Sequence, residues 1–133
     1  KNAWPDRDAA LHHFQHKKAF ARWHPQVLAD YIDRCTHDED GQRVLSFDRD
    51  VETAIYNTLP DNLDRLLKRH PLKCPVAFIG GTRSAEMKQV GMTMTEQVVH
   101  GRMMMLDGSH LFPMEKPLAT AAAIEATLRN LEG

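Results

Sequence analysis

Two short apolar runs in the second half of the sequence restrict the possible folds more than any other feature. Residues 75–79 (PVAFI) are followed by Gly80-Gly81, and residues 103–106 (MMML) are followed by Asp107-Gly108. Short, continuous apolar runs that end at turn-forming residues are typical of strands buried on both faces of a parallel sheet. Two parallel strands are too few for a stable sheet, so the pattern predicts that other strands pair with them.

Helical patterns alternate with these two strands. A helix is predicted from Ser84 and another near residues 95–99, and Pro117 suits the first turn of a final helix. The apolar side chains expected on one face of that final helix are those of Leu118, Ala121, Ala122, Ile124 and Leu128. The order strand, helix, strand, helix indicates an α/β fold with parallel strands joined by crossover helices.

The first half of the sequence has a helical character. The predicted helices cover residues 6–20, 25–35, a stretch that follows Asp48, and 60–68. Residues 36–43 (THDEDGQR) are expected to form a charged turn, and residues 44–47 a short extended piece. Prolines within residues 70–75 disfavour continued helix and predict a linker between the two halves.

Charge and composition exclude several classes of partner. The 133-residue chain has a net charge of −1, and its basic and acidic residues are interleaved, so neither nucleic acid nor an anionic membrane is an expected partner. No apolar run approaches the roughly 20 residues that cross a bilayer. The two cysteines, Cys35 and Cys74, are far apart and form no CxxC pair, which favours a reducing, cytoplasmic location.

The segment around His110 carries the most specific chemical pattern. The turn-forming residues 107–109 (DGS) follow the second strand directly and place His110 at the carboxyl edge of the predicted sheet, where open α/β sheets bind their ligands. Imidazole titrates near neutral pH and can both accept and return a proton. Position and chemistry together predict that His110 belongs to a functional site.

Residues 108–117 follow the pattern G-x-H-x-x-P-x-E-x-P and lead into an Ala-rich helix. This pattern resembles the end of the α/β-hydrolase core, where the histidine of the catalytic triad lies on the loop after the last strand. The resemblance implies that residues 1–70 are a helical cap, or lid, and that residues 71–133 are the last strand–helix units of the core. It thus implies the C-terminal part of an α/β-hydrolase parallel sheet, preceded by a helical lid.

In such a hydrolase, the resemblance implies that His110 takes the proton of a serine nucleophile. The G-x-S-x-G nucleophile motif and the oxyanion loop of the family occur nowhere in these residues. The sequence opens at Lys1 without an initiator methionine, so we expect both elements in a missing N-terminal half. That half, or a symmetry-related chain, is expected to complete the sheet. The implied protein is an esterase- or lipase-like acyl hydrolase that uses no cofactor. This chain alone, without the nucleophile, is expected to be inactive.

The acid that orients the catalytic histidine has two possible positions. In the family it commonly follows the strand that corresponds to residues 74–79, and the equivalent position here is Ser84, which carries no charge. Glu86 is the nearest carboxylate; some family members instead place the acid after the preceding strand, which would lie in the missing half. We expect the upstream position, with Glu86 second. Glu115 is expected to be structural.

Other side chains are candidates for the lining of a substrate pocket under the lid: Trp23, Tyr31, Tyr56 and Met92. The implied substrate is a small ester or another apolar molecule. His12 and His16 have the i,i+4 spacing of zinc ligands but lack the HExxH carboxylate, so no metal is expected. The alternative to an enzyme is a noncatalytic binding protein of the same fold, which the uncharged Ser84 favours.

Overall fold

A computed structural model describes residues 2–58 and 61–132 of the chain. The chain divides into two compact units, a first unit Lys1–Pro60 and a second unit Asp61–Gly133. The fold is mixed α/β, with short strands and helices in both units. Within the described ranges, no helix is long and apolar enough to cross a membrane.

The first unit combines helices with a small antiparallel sheet. Its elements, in chain order, are β1 (Ala3–Trp4), α1 (Arg7–Gln15), α2 (Pro25–Cys35), β2 (Thr36–Glu39), β3 (Gln42–Leu45) and α3 (Arg49–Tyr56). Asp6 accepts a hydrogen bond from the N–H of Ala9 at 2.7 Å at the start of α1, and Asp48 accepts one from Asp50 at 2.7 Å at the start of α3. The helix starts predicted at Pro25 and after Asp48 are confirmed, because α2 begins at Pro25 and α3 begins directly after Asp48.

The first half of the chain contains more strand than its predicted helical character allows, although the short extended piece expected at residues 44–47 overlaps β3. Residues 36–43, expected to form a turn, belong to a hairpin of β2 and β3, and β1 pairs with the other edge of β3. Asp40 and Gly41 adopt the left-handed conformation (φ 49° and 74°) that closes two-residue hairpins. The sequence did not reveal β2 because this edge strand is short and entirely polar, so it shows no apolar alternation.

Side chains from β1, α1, α2 and the segment between the two helices form the core of the first unit. Its buried members are Trp4, Ala10, Phe14, Leu28 and Ile32. Because α1 ends at Gln15 rather than near residue 20, Phe20 and Trp23 reach this core from the turns that follow the helix. The Phe20 ring centroid lies 4.8 Å from that of Phe14 and 4.7 Å from that of Trp23.

The second unit contains a parallel pair of strands. Its elements are α4 (Leu63–Arg69), β4 (Phe78–Gly81), α5 (Ala85–Val90), α6 (Thr93–Val99), β5 (Met103–Leu106), α7 (Phe112–Glu115) and α8 (Pro117–Glu132). β4 and β5 pair in parallel, from Phe78 opposite Met103 to Gly81 opposite Leu106. The predicted order strand, helix, strand, helix is confirmed, with α5 and α6 in the crossover. The predicted helix start at Pro60 lies outside the described residues.

Two details of the second unit differ from the sequence prediction. The sequence predicts a strand over residues 75–79 that stops before Gly80, whereas β4 begins at Phe78 and continues through Gly80 and Gly81, because backbone pairing with β5 requires no side chain. In α8 the buried residues are Thr120 and Ala123, whereas Leu118, expected on the buried stripe, is 84% exposed. Alanines on all sides of α8 make its apolar periodicity too weak to identify the buried face.

Gly81, at the end of β4, is predicted to tolerate no side chain. A Cβ atom there would overlap the backbone carbonyl of Ser109, whereas a Cβ at Gly80 would meet only side-chain atoms of Phe78 and Met87. We expect Gly81→Ala to lower the free energy of unfolding by about 1–3 kcal/mol, the usual cost of overpacking. Gly80→Ala is the matched control, since flexible side chains can move away. Equal urea midpoints for the two variants would contradict this packing.

Candidate active site

The candidate site lies at the carboxyl ends of β4 and β5. Ser84 follows the end of β4 closely, and His110 follows the end of β5. The pairing of the strands continues into these loops, because the N–H of Arg83 donates to the carbonyl of Gly108 at 2.9 Å. The two loops are therefore fixed side by side, at the edge where open α/β sheets bind ligands.

His110 contacts two polar side chains of the loop and helix that follow β4. Its Nδ1 atom lies 3.1 Å from Oγ of Ser84 and 3.8 Å from Oε2 of Glu86. The side chains of His110 and Glu86 are 55% and 58% exposed, respectively, whereas Ser84 is buried. Both contacts involve Nδ1, so the opposite ring nitrogen, Nε2, is the one that can meet a reacting group.

Ser84 and Glu86 also interact with each other and with the first turn of α5. Oγ of Ser84 accepts a hydrogen bond from the N–H of Met87 at 3.1 Å, as the N-cap of α5, and donates to Oε2 of Glu86 at 3.3 Å. The pKa of the Glu86 carboxyl is lowered mainly by a hydrogen bond from the backbone N–H of Glu86 itself, and the nearby His110 lowers it further. Glu86 is therefore ionised at neutral pH beside the imidazole.

Glu115, in α7, fixes the loop that carries the histidine. Its Oε1 accepts a hydrogen bond from Oγ of Ser109 at 2.5 Å, and its Oε2 accepts one from the N–H of Ser109 at 3.2 Å. Oγ of Ser109 in turn accepts a hydrogen bond from the N–H of Leu111 at 3.0 Å. The residues on both sides of His110 are thus connected through one carboxylate and one hydroxyl.

Charged side chains connect the same loops at the surface. Asp107 forms ion pairs with Arg83, from the loop after β4, and with Lys116, whose Nζ lies 2.7 Å from Oδ2. The hydrogen bond from Lys116, followed by the attraction of Arg83, lowers the pKa of the Asp107 carboxyl. All three side chains remain about half exposed, so solvent screens these pairs.

The predicted substrate-pocket residues belong to both units. In the first unit, Trp23 and Tyr31 are half-buried in the aromatic core, with ring centroids 5.5 Å apart, and Tyr56 is exposed on α3. In the second unit, half-buried Met92 precedes α6 as its N-cap residue. Packing within the first unit accounts for Trp23 and Tyr31, and a role of the four residues in binding substrate stays a prediction.

Histidines do not assemble a metal site in the part of the chain that the structure describes. There, no group of three or more His, Cys, Asp or Glu side chains is placed to hold a metal ion. The rings of His12 and His16 lie 4.3 Å apart, and Nδ1 of His16 is 2.7 Å from the carbonyl oxygen of His12. The i,i+4 pair thus has one ring nitrogen engaged by the helix backbone.

Comparison with known proteins identifies a shared fold. No protein-family model matches the chain, and no curated protein matches its sequence. A solved structure that is similar is a thioesterase domain from the curacin biosynthetic pathway, with a TM-score of 0.70 and 18% sequence identity. The match covers 91% of this chain but 44% of that domain. The chain thus has the fold of part of a thioesterase domain and spans less than half of its length.

Removal of the Glu115 carboxylate is predicted to loosen the loop that carries the histidine. We expect Glu115→Ala to lower the free energy of unfolding by about 1.5–3 kcal/mol, since hydrogen bonds to a charged, half-buried group are lost. The control is Glu125→Ala, which removes an exposed carboxylate that pairs with Arg129 and should change stability little. Urea denaturation measures both effects; equal losses in the two variants would rule out a special role of Glu115.

The ion pairs of Asp107 predict a dependence of stability on acid pH. A carboxyl with a lowered pKa in the folded state contributes fully above its unfolded pKa, about 3.9, and the contribution is lost as pH falls through the folded value. We therefore expect Asp107→Asn to flatten the decrease of the urea midpoint below about pH 4. The control is Asp64→Asn, which removes one exposed pair within α4. An Asp107→Asn profile parallel to that of the unaltered protein would contradict the assignment.

Proposed function

We propose that the chain is the C-terminal part of a serine-type α/β-hydrolase, with His110 as the general base in the hydrolysis of an acyl ester or thioester. The observation that carries this proposal is the approach of His110 Nδ1 to Ser84 and Glu86, at the carboxyl ends of two parallel strands. A ring oriented from Nδ1 presents Nε2 to the reacting groups. The fold shared with a thioesterase domain supports acyl chemistry.

The proposed reaction requires a serine nucleophile from a segment outside the present sequence. Its Oγ attacks the acyl carbon while Nε2 of His110 takes its proton, and a tetrahedral oxyanion forms. The bond from the acyl carbon to the leaving oxygen or sulfur then breaks, and the imidazolium returns the proton to the leaving alcohol or thiol. Water attacks the acyl-serine with the same assistance, which releases the carboxylic acid and regenerates the serine. No cofactor takes part.

The sequence favours an acid upstream of this chain, but the 3.8 Å approach of Glu86 Oε2 to Nδ1 of His110 supports Glu86 instead, and in this proposal Glu86 is the acid that orients the histidine. The two units have different roles. The second unit corresponds to the last strand–helix units of the hydrolase core, and the first unit to the lid. Support for a lid comes from Val51 and Ile55, exposed apolar residues one turn apart on α3, which a bound acyl group or another segment can cover. The candidate contacts of the acyl group are Trp23, Tyr31, Tyr56 and Met92.

In this proposal, strands from another segment complete the sheet that β4 and β5 begin. The thioesterase domain extends well beyond the part that this chain matches. Among the residues that the structure describes, β4 and β5 pair only with each other, which leaves their outer edges available for further strands. Further strands, from a missing N-terminal half or a symmetry-related chain, would complete the sheet. The nucleophile and the backbone N–H groups that stabilise the oxyanion would come from the same additional segment.

A noncatalytic binding protein of the same fold is the second candidate. The observation that favours it is Ser84, which lies against the imidazole where the resemblance implies a carboxylate. A protein of this kind would bind an acyl compound without converting it. Turnover of an ester by the complete protein separates the two candidates.

We expect His110→Gln in the complete protein to lower kcat for a p-nitrophenyl ester or an acyl thioester by about 10⁴-fold or more, the scale on which triad members act. Stability should change little, because the side chain is largely exposed. His70→Gln replaces another exposed histidine of the second unit and serves as the control. Unchanged turnover in His110→Gln would remove His110 from the reaction, and binding without turnover in the unaltered protein would favour the second candidate.

A further inference from the structure

The hydroxyl group of Ser84 lies between three polar groups. Its Oγ is 3.1 Å from the N–H nitrogen of Met87, 3.1 Å from Nδ1 of His110 and 3.3 Å from Oε2 of Glu86. A serine hydroxyl has one proton to donate and two lone pairs to accept with. Since Ser84 is only 1% exposed, these three groups rather than bulk water determine where its proton points.

The chemistry of the three neighbours determines the direction of each hydrogen bond. The N–H of Met87 can only donate, and the ionised carboxylate of Glu86 can only accept. The single proton of Ser84 is therefore directed to Glu86, and the remaining lone pair of Oγ requires a proton on Nδ1 of His110. In the reverse arrangement Oγ–H would donate to Nδ1, and an Oγ lone pair would face the Glu86 carboxylate at 3.3 Å with no proton between them, which is electrostatically unfavourable.

We propose that Ser84 is a positioning residue that transmits the orienting effect of Glu86 to His110. The chain Nδ1–H···Oγ–H···Oε2 fixes the neutral imidazole with its proton on Nδ1 and leaves the lone pair on Nε2. Free histidine favours the tautomer with the proton on Nε2, which cannot accept a proton there. The inference rests on the proposed function for the use of Nε2 as a base, whereas the tautomer itself is a property of the unliganded protein.

The same arrangement stabilises the protonated ring during the proposed reaction. When Nε2 takes the proton of the nucleophile, the positive imidazolium has the Glu86 carboxylate 3.8 Å from Nδ1. Ser84 keeps its own proton throughout, so no bond breaks along the chain. A buried hydroxyl can thus occupy a place usual for a carboxylate and still maintain both the tautomer and the charge balance.

The tautomer can be measured by nitrogen NMR of the histidine side chains. In protein labelled with ¹⁵N-histidine at about pH 9, above the titration range of imidazole, protonated and unprotonated ring nitrogens have well-separated shifts. The signals of His110 are those absent from the spectrum of His110→Gln. We expect the unaltered protein to show a protonated Nδ1 and an unprotonated Nε2 at this residue.

Two substitutions interrupt the chain at different points. Ser84→Ala removes the hydroxyl, and Glu86→Gln replaces the carboxylate, which can only accept, by an uncharged amide whose NH2 group can donate to Oγ; each should shift His110 mainly to the Nε2–H tautomer. Ser84→Ala also removes the N-cap of α5, whereas Glu86→Gln leaves it intact, so a folding defect in the first does not decide the result. Glu96→Gln, in the first turn of α6, is the matched control and should leave the tautomer unchanged.

A double variant tests the relay by rescue. In Ser84→Asp/Glu86→Gln, a carboxylate at residue 84 can accept directly from Nδ1–H and can also serve as the N-cap of α5. We expect this variant to restore the Nδ1–H tautomer. In the complete protein, Ser84→Ala should lower kcat by about 10²- to 10⁴-fold with KM little changed, the usual contribution of general acid–base catalysis, and the double variant should recover most of that loss.

The outcomes separate this inference from the proposed function. An Nε2–H tautomer in the unaltered protein, or an Nδ1–H tautomer that persists in Ser84→Ala, would overturn the role of Ser84; in the second case Glu86 orients the ring directly. Turnover that depends on His110 but not on Ser84 would likewise contradict the inference and leave the function standing. The expected tautomer changes in a complete protein that hydrolyses no ester would contradict the function alone.

Discussion

Parallel pairing of β4 with β5 brings Ser84 and His110 together across 26 positions of sequence. The pairing continues past the ends of the strands, and Gly81 lets the carbonyl of Ser109 approach the backbone of β4 without a side chain between them. Glu115 then fixes Ser109 through its hydroxyl and its N–H. The orientation of the imidazole thus depends first on the backbone packing that brings the two loops together, and only then on the charge of Glu86.

The proposed arrangement, with a buried hydroxyl at Ser84 and an exposed charge at Glu86, has a physical advantage. Burial of a carboxylate against the strand ends would carry a large desolvation cost unless every oxygen found a donor. Here the buried group is a neutral hydroxyl with three hydrogen-bonding neighbours, and the charged group stays about half exposed. Solvent screens the attraction between Glu86 and the imidazole, so we expect a weaker orienting effect than that of a buried acid.

Local sequence patterns predicted the elements that depend on local chemistry. The apolar run MMML gave the position of β5, and Pro25 and Asp48 marked helix starts, because each signal acts within a few residues. The all-polar β2 was not predicted, since its stability comes from pairing with β3 rather than from apolar alternation. The sequence placed Ser84 opposite His110 only through a family resemblance and gave it no role, because its contacts depend on the register of two distant strands.

The proposed role of His110 is tested most directly by a structure of the complete protein after reaction with a fluorophosphonate ester, which esterifies an activated serine and releases fluoride. The proposed mechanism predicts that the reagent modifies one serine outside the present 133 residues. Oγ of that serine should lie within about 3 Å of Nε2 of His110, the distance of a direct proton transfer. A modified serine remote from His110, or a folded protein that the reagent leaves unmodified, would contradict the mechanism.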